Sequence, residues 1–362
     1  MADARRTRLA ALADAVTSAH LDALLVTGLP NIHYLTGFSG SSALVLVTPR
    51  ETVLITDFRY QTQAGEEVGG VARVVIEPVS LWAALWQQLP AASGVRVVGF
   101  ESAHVTHRDF QRLMESGGSW QWRPTADLVE GLRERKDADE VACIQRAADV
   151  ALRALRRTLP AVHAGMSELQ VAGVLEHALR DEGSEGFAFA SIVAAGARSA
   201  LPHAQPTGHR VAPGDFLLFD FGAVVDGYCS DVTRTVVVGR ATPEQREVYE
   251  VVRGANEAAS AAVHAGMTGR DADGVARSYI ERHGLGELFG HSLGHGIGLE
   301  VHEAPRLART NELPLPAGAV VTIEPGVYRA GWGGVRIEDD VYLGADGPRL
   351  LTDFPRELLE LV

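Results

Sequence analysis

Cysteine and lysine are nearly missing from this chain, and each shortage narrows what it can do. Two cysteines, Cys143 and Cys229, occur in 362 residues. That number excludes a disulfide framework and makes a reducing cytoplasm the expected compartment. Neither cysteine has a partner motif for thiol chemistry, so burial is the expected role of both. A single lysine, Lys136, stands among 33 basic residues. It lies in RERKDADE, a charged run expected to be solvated, which leaves no lysine for a P-loop or a Schiff base. No apolar run reaches membrane-spanning length, and the N-terminal MADARRTRLAALADAVTSAH is too weakly apolar for a signal peptide. It is expected to form an amphipathic helix. Positive charge is scarce too: a net charge of -13 argues against nucleic acid or an anionic membrane as a partner.

What remains is an ordinary globular composition, 46% hydrophobic and 22% charged, at a length that suits two domains. Up to about residue 125, apolar runs (LDALLVTG, SALVLVTP, TVLITDF, VRVVGFE) alternate with helical patterns, as in an α/β domain around a central sheet. Composition turns charged over RPTADLVEGLRERKDADE, and a helix is expected to start there with Asp137 as N-cap. The expected domains are 1–127 and 128–362.

The second part contains a duplication. VHAGM occurs at 162–166 and again at 263–267, and each copy precedes a helical segment ending at a glycine, Gly183 or Gly284, at a constant offset of 101 residues. The repeat extends to acidic positions. In PGDFLLFDFG, Asp220 follows Gly214 by six residues; in AGAVVTIEPG, Glu324 follows Gly318 by six. Asp231 follows Gly227 by four, and Glu338 follows Gly334 by four. Two acid pairs, Asp220/Asp231 and Glu324/Glu338, are thus expected on strands of two related halves, where a pseudo-twofold would bring them together.

Four converging carboxylates raise one another's pKa and need compensation. Two divalent cations supply it, and oxygen-rich donor sets bind such ions well. For one acid alone, solvation or pairing with Arg234 or Arg336 is the better reading; two pairs at matched positions in apolar strands weigh against it. A nitrogen donor is offered by GHSLGHGIGLEVHE, with His291, His295 and His302. Ser292 and the glycines exclude the helical H-E-x-x-H zinc motif, and G-H-G-I-G-L is no dinucleotide loop. A strand or loop bringing one histidine to the ions is expected. Two carboxylate-bridged ions suit hydrolysis: they hold a hydroxide at neutral pH and stabilise an oxyanion.

The motifs ALPHAQPTGHRVAPGD, FDFGAVVDGYCSDVTRT, HSLGHGIGLEVHE, TIEPG and VRIEDD resemble, in order and spacing, those of the pita-bread metallopeptidase family, which includes prolidase, aminopeptidase P and methionine aminopeptidase. NIHYLTGFSGS and DFRYQTQA are similar to the creatinase-like N-terminal domain of prolidases and aminopeptidases P. The resemblance implies an α/β creatinase-like domain followed by an α+β pita-bread domain with an internal pseudo-twofold repeat. It implies Asp220, Asp231, His295, Glu324 and Glu338 as metal ligands, with Asp231 and Glu338 bridging, for Mn²⁺ first and Zn²⁺ or Co²⁺ as alternatives. It implies Glu324, His203 and His302 in catalysis, and His203, His291, His302, Arg336 and Arg306 in substrate binding. The implied reaction is attack of a metal-bridging hydroxide on the peptide bond before proline, in small proline-containing peptides, by a homodimer. The TGFSGS stretch leans towards an aminopeptidase P; Arg306, in VHEAPR, resembles a dipeptidase's carboxylate-reading arginine. A non-catalytic pita-bread binding module and another two-metal hydrolase are the alternatives. All five ligand positions are filled, which argues against the first, and no phosphate cradle accompanies the acids.

Overall fold

The computed structural model describes residues 2–92 and 94–361, which form two compact units, Met1–Arg133 and Glu134–Val362. The first unit is built on a six-stranded mixed sheet. Its strands are β1 (Ala23–Val26), β2 (Ala43–Val47), β3 (Thr52–Asp57), β4 (Arg73–Glu77), β5 (Val97–Glu101) and β6 (Gln121–Thr125), in the order β4-β3-β2-β1-β5-β6. The four apolar runs became β1, β2, β3 and β5. The two outer strands are only half-buried, so their sequences lack the buried-strand signature, and Pro124 within β6 is tolerable at an edge. The N-terminal residues Ala2–Ser18 are helical and bury Leu12 and Val16.

The second unit opens with the helix Ala138–Thr158, whose start carries the expected cap: Asp137 accepts from the Glu140 amide and Glu140 reaches back to the Asp137 amide. Two helix pairs, Ala138–Thr158 with Glu168–Asp181 and Pro243–Ala262 with Gly269–Arg282, flank the strands. These strands are β7 (Ile192–Ala195), β8 (Phe216–Phe221), β9 (Val224–Val225), β10 (Tyr228–Cys229), β11 (Val232–Val238), β12 (Gly294–Gly296), β13 (Glu303–Leu307), β14 (Val320–Ile323), β15 (Gly326–Arg329), β16 (Gly333–Arg336), β17 (Asp339–Gly344), β18 (Gly347–Leu350) and β19 (Glu360–Leu361). The main sheets run β19-β11-β8-β7 and β13-β12-β14-β17-β18.

The duplication is visible residue by residue. Ser167 and Thr268, 101 residues apart, each cap the second helix of their half by accepting from the amide three residues on. Gly165 and Gly266 take positive φ of 92° and 90°, and Gly214 and Gly318 take 89° and 90°; these four turns need a residue without a Cβ. Gly165 donates its amide to Val211 O, and Gly266 donates to Leu315 O. Each half has its own apolar core, one around Leu155, Leu175 and Phe219, the other around Val252, Ile280 and Val321. Among the described residues no helix is long and apolar enough to cross a membrane.

Lys136 departs from expectation. It is buried, its Nζ donates to Glu303 Oε2 at 2.9 Å, and its amide donates to Gly318 O. The charged run around it signalled solvation, but the compensating acid lies 167 residues away. Both cysteines are buried, and neither is in a disulfide.

Candidate metal centre

The seam between the two halves positions the acids. Strands β8 and β11 pair antiparallel with Asp220 opposite Thr233, and β14 and β17 pair with Ile323 opposite Asp339. Asp220 lies inside β8. Asp231 and Glu338 each immediately precede a strand, β11 and β17, and Glu324 immediately follows β14. Three of the four acids therefore sit at strand ends, where the chain leaves the ladder and a carboxylate can turn towards the seam. Across the seam, the Glu338 amide donates to Thr233 O at 3.1 Å, and Thr233 Oγ1 donates to Glu338 Oε2 at 2.6 Å. Thr235 Oγ1 donates to Arg336 O and accepts from the Arg336 amide.

His295 is the middle residue of β12, between β13 and β14. Its two flanking glycines explain the motif. A Cβ at Gly294 would lie 2.0 Å from Thr322 O, and one at Gly296 would lie 2.1 Å from Ala304 O. Only glycine lets this short strand approach both neighbours, and His295 is thereby thrust towards the acids. The segment is a strand, as expected, and no metalloprotease helix.

Donor atoms of Asp231, His295 and Glu338 all lie within 4.8 Å of one another. His295 Nε2 is 3.8 Å from Asp231 Oδ2 and 3.5 Å from Glu324 Oε1. Donors bound to one cation at about 2.0–2.2 Å are roughly 3–4.4 Å apart, so these separations are those of ligands rather than of hydrogen-bonded pairs. The polar inventory agrees: Asp220 Oδ1 and Asp231 Oδ1 are buried without a hydrogen-bond partner among the described residues, an expensive arrangement unless an ion completes it.

Protein groups compensate the charge only in part. Burial raises the carboxyl pKa of Asp220, an effect opposed by the Arg336 guanidinium, which ion-pairs with it. Burial first, and the charge of Glu338 next, push Asp231 and Glu324 well above the carboxylate range. Burial and then Asp220 take Glu338 to about 8. Arg234 takes a different place from that considered for it. Its Nη2 donates to Asp339 Oδ1 at 2.7 Å and its Nη1 to Glu338 O at 2.6 Å, so it neutralises the acid beyond the ligands. Asp340 lies one residue further on. Its Oδ2 accepts from the Asp231 amide at 3.1 Å, and burial raises its pKa well above the usual range.

The other candidates surround this cluster. Burial holds His291 and His295 near pKa 4, so both imidazoles are neutral at pH 7. His302 is more exposed, with its ring centroid 4.4 Å from that of His295. His203 is exposed and lies within electrostatic reach of Asp220, His291 and His302. Arg306 pairs opposite His295 across β12 and β13. Its guanidinium is exposed and has no hydrogen-bond or ion-pair partner among the described residues. Arg336, by contrast, is buried and fully engaged. Besides Asp220 it donates to Thr233 Oγ1 at 3.0 Å, Tyr328 OH at 2.9 Å and Pro202 O at 3.4 Å.

Sequence reasoning missed Tyr328. Its hydroxyl accepts from Arg336 and meets His291 Nε2 at 2.9 Å, while His291 Nδ1 meets Ser292 O at 2.8 Å. Donation by Nδ1 to that carbonyl leaves Nε2 as acceptor, so His291 turns its ring, not a free donor, towards its surroundings. The signal available was the tyrosine four residues after Glu324 in TIEPGVY. Thr322 was missed as well; its hydroxyl accepts from the His295 amide and lies 3.5 Å from Glu324 Oε1. Thr233, two residues after Asp231, is a further hydroxyl in contact with a proposed ligand, Glu338.

A second acid–histidine group, Glu101, His104 and Glu130, lies in the first unit. Glu101 accepts from the Thr27 and Gly28 amides and Asn31 Nδ2, and His104 contacts Glu130, so these groups satisfy one another.

Comparison with known proteins bears on the whole chain. Residues 142–345 match metallopeptidase family M24, and residues 8–135 match the creatinase/prolidase N-terminal domain. The chain is 35% identical over 341 residues to a Xaa-Pro dipeptidase of Pyrococcus horikoshii, covering 94% of this chain and 95% of that one. Its fold superposes on a Xaa-Pro dipeptidase from Bacillus anthracis with TM-score 0.95 at 38% identity, covering 99% and 100% of the two chains. It superposes on an X-Pro aminopeptidase from Thermotoga maritima with TM-score 0.90 at 38% identity, covering 96% and 98%. A duplicated acid-bearing fold, a buried cluster of metal-donor side chains and these matches identify the chain as a metallopeptidase of family M24 with a creatinase/prolidase N-terminal domain.

Proposed function

We propose that this metallopeptidase hydrolyses the peptide bond between an N-terminal residue and a following proline, and that its preferred substrates are dipeptides. The carrying observation is the buried cluster of Asp220, Asp231, His295, Glu324 and Glu338, with two orphaned carboxylate oxygens and ligand-like separations. These residues are assigned two divalent cations, Mn²⁺ first given the oxygen-dominated set, with Zn²⁺ or Co²⁺ as alternatives. Bound there, the cations supply Lewis acidity and activation of water at neutral pH.

The chain's own residues do the rest. Glu324, the most open of the four acids, serves as general acid/base, its proton affinity raised by burial. His203 and His302 donate hydrogen bonds to the oxyanion and the leaving nitrogen. His291 offers a neutral ring face to the proline, held by Tyr328, which Arg336 in turn orients. Arg306 takes the dipeptide's carboxylate; its unpaired guanidinium on the histidine side of β13 favours the dipeptidase over the aminopeptidase, towards which the sequence leaned. The aminopeptidase reading keeps the support of the Thermotoga relative. A cytoplasmic homodimer is the proposed form.

Metal-stripped protein reloaded with Mn²⁺ or Zn²⁺, assayed on Ala-Pro and Ala-Pro-Ala, tests this. Metal-dependent release of alanine is expected, faster from Ala-Pro. Preference for the tripeptide would make it an aminopeptidase; cleavage of neither despite bound metal would end the proline assignment.

A further inference from the structure

Each of the three substrate-side histidines lies on a segment tied down by an ion pair that touches none of the proposed metal ligands; two of these pairs are buried, and in the third a buried Glu168 meets a half-buried Arg198. Glu168 is fully buried at the first position of the helix Glu168–Asp181. Its carboxylate accepts from the Ala195 amide at 2.9 Å, from Arg198 Nε at 2.9 Å, and from the Thr207 amide and hydroxyl at 3.0 and 2.8 Å. These contacts fall on both sides of His203, and Arg198 Nη2 closes the segment by donating to Gln205 O at 2.8 Å. In the other half, Asp273 and Arg277 pair at 2.6 Å on the corresponding second helix. Arg277 donates to Phe289 O and His291 O, and Asp273 accepts from the Leu293 amide, so the pair brackets His291. Lys136 and Glu303 form the third pair, next to His302.

Buried ion pairs contribute little net stability, because desolvation offsets their attraction. They do constrain geometry, since the partners must stay aligned to remain compensated. Three ion pairs at the roots of three histidine segments are not explained by core packing. We propose that Glu168–Arg198, Asp273–Arg277 and Lys136–Glu303 are positioning pairs that hold His203, His291 and His302 at fixed offsets from the metal cluster, using acids and cations that are not themselves in the proposed ligand set. This rests on the peptidase reading above for its catalytic consequence, though not for the tethering itself.

Glu168 gives the sharpest test. In Glu168→Gln, amide hydrogen exchange of residues 201–207 should accelerate at least tenfold while β8 and β11 keep their protection, in metal-free and metal-loaded protein alike. Bound metal per chain should not change. The kcat/KM for Ala-Pro should fall roughly 10–100-fold, the usual effect of losing an orienting partner, and the same substitution in a His203→Ala background should produce no further loss. Should Glu168→Gln fail to fold, Thr207→Val removes one tether and should show the same pattern more weakly. Losses that multiply in the double variant, or exchange that spreads to the strands, would overturn the proposal in favour of a general structural role. A wild type inactive on both peptides would count against the proposed substrate alone, because the exchange measurement still decides whether Glu168 holds the segment.

Discussion

Removing the cations should make the protein less stable as pH rises from 6.5 to 8, the reverse of ordinary acid denaturation. Glu338 carries the argument. Burial, and after it the charge of Asp220, raises its carboxyl from 4.5 to about 8 in the folded, metal-free protein. A group raised in the folded state favours folding fully below pH 4.5, and that contribution is lost as pH climbs through 8. His291 and His295 act in the opposite sense. Held near 4 against an ordinary 6.5, they contribute stability above pH 6.5 that is lost as pH falls towards 4. Above pH 6.5 the carboxylates therefore dominate. Each pH unit across that window is about 1.4 kcal/mol for one such group, so Glu338 alone removes about 2 kcal/mol between pH 6.5 and 8. For a unit of this size that is a fall in Tm of about 4–8 °C. Asp231 and Glu324 are shifted the same way, which makes the figure a floor. Differential scanning calorimetry in chelator, at half-unit pH steps, would follow the melting of the C-terminal unit. Saturating Mn²⁺ should flatten the slope and raise Tm at pH 8, and Glu338→Gln should make it shallower without metal. A metal-free Tm that is constant or rises between pH 6.5 and 8 would refute the reasoning.

Gly294→Ala should force β12 away from Thr322, destabilise the unit by about 1–3 kcal/mol as overpacking does, and cut bound metal per chain; Gly173→Ala, at a site with nothing within 4 Å of the added methyl, should do neither. Calorimetry and metal analysis separate the two. Arg306→Ala should lower kcat/KM for Ala-Pro roughly 10–100-fold, the range for a hydrogen bond to a charged group, and affect Ala-Pro-Ala much less; equal losses would exclude carboxylate recognition. Arg234→Met should destabilise the unit by about 3–5 kcal/mol in urea unfolding, because Asp339 stays buried with Arg356 as its remaining cation. A change under about 1 kcal/mol would show that Arg356 suffices.

What was legible in the chain was whatever repeated or alternated. The 101-residue offset exposed the duplication, and matched glycine-to-acid spacings marked the four carboxylates. The capping box at Asp137 and the buried inner strands of the first unit were equally local signals. What escaped depends on partners far away in the chain. Lys136 looked solvated because Glu303 lies 167 residues off. Arg336 was expected at the substrate, with pairing to an acid as the weaker reading, yet Asp220, 116 residues earlier, claims its guanidinium. Glu168 and Asp273 carry no motif at all; their importance rests on backbone amides that only the folded chain brings near. Edge strands β4 and β6 escaped for a simpler reason, being too polar and half-exposed to show a buried pattern.

The two halves also differ at one telling place. Strand β7, beside β8, is Ile-Val-Ala-Ala, whereas β12, beside β14, is Gly-His-Gly. In a dimer of separate identical subunits, a histidine gained on one side is gained on the other. Joining both halves in one chain lifts that constraint: one copy keeps an apolar strand to fill its core, while the other gives up packing for a nitrogen donor. Under the proposed ligand set the two ion positions would therefore be chemically unlike, one all-oxygen and one with an imidazole, and a mixed-metal centre becomes accessible to a fold assembled from two related halves.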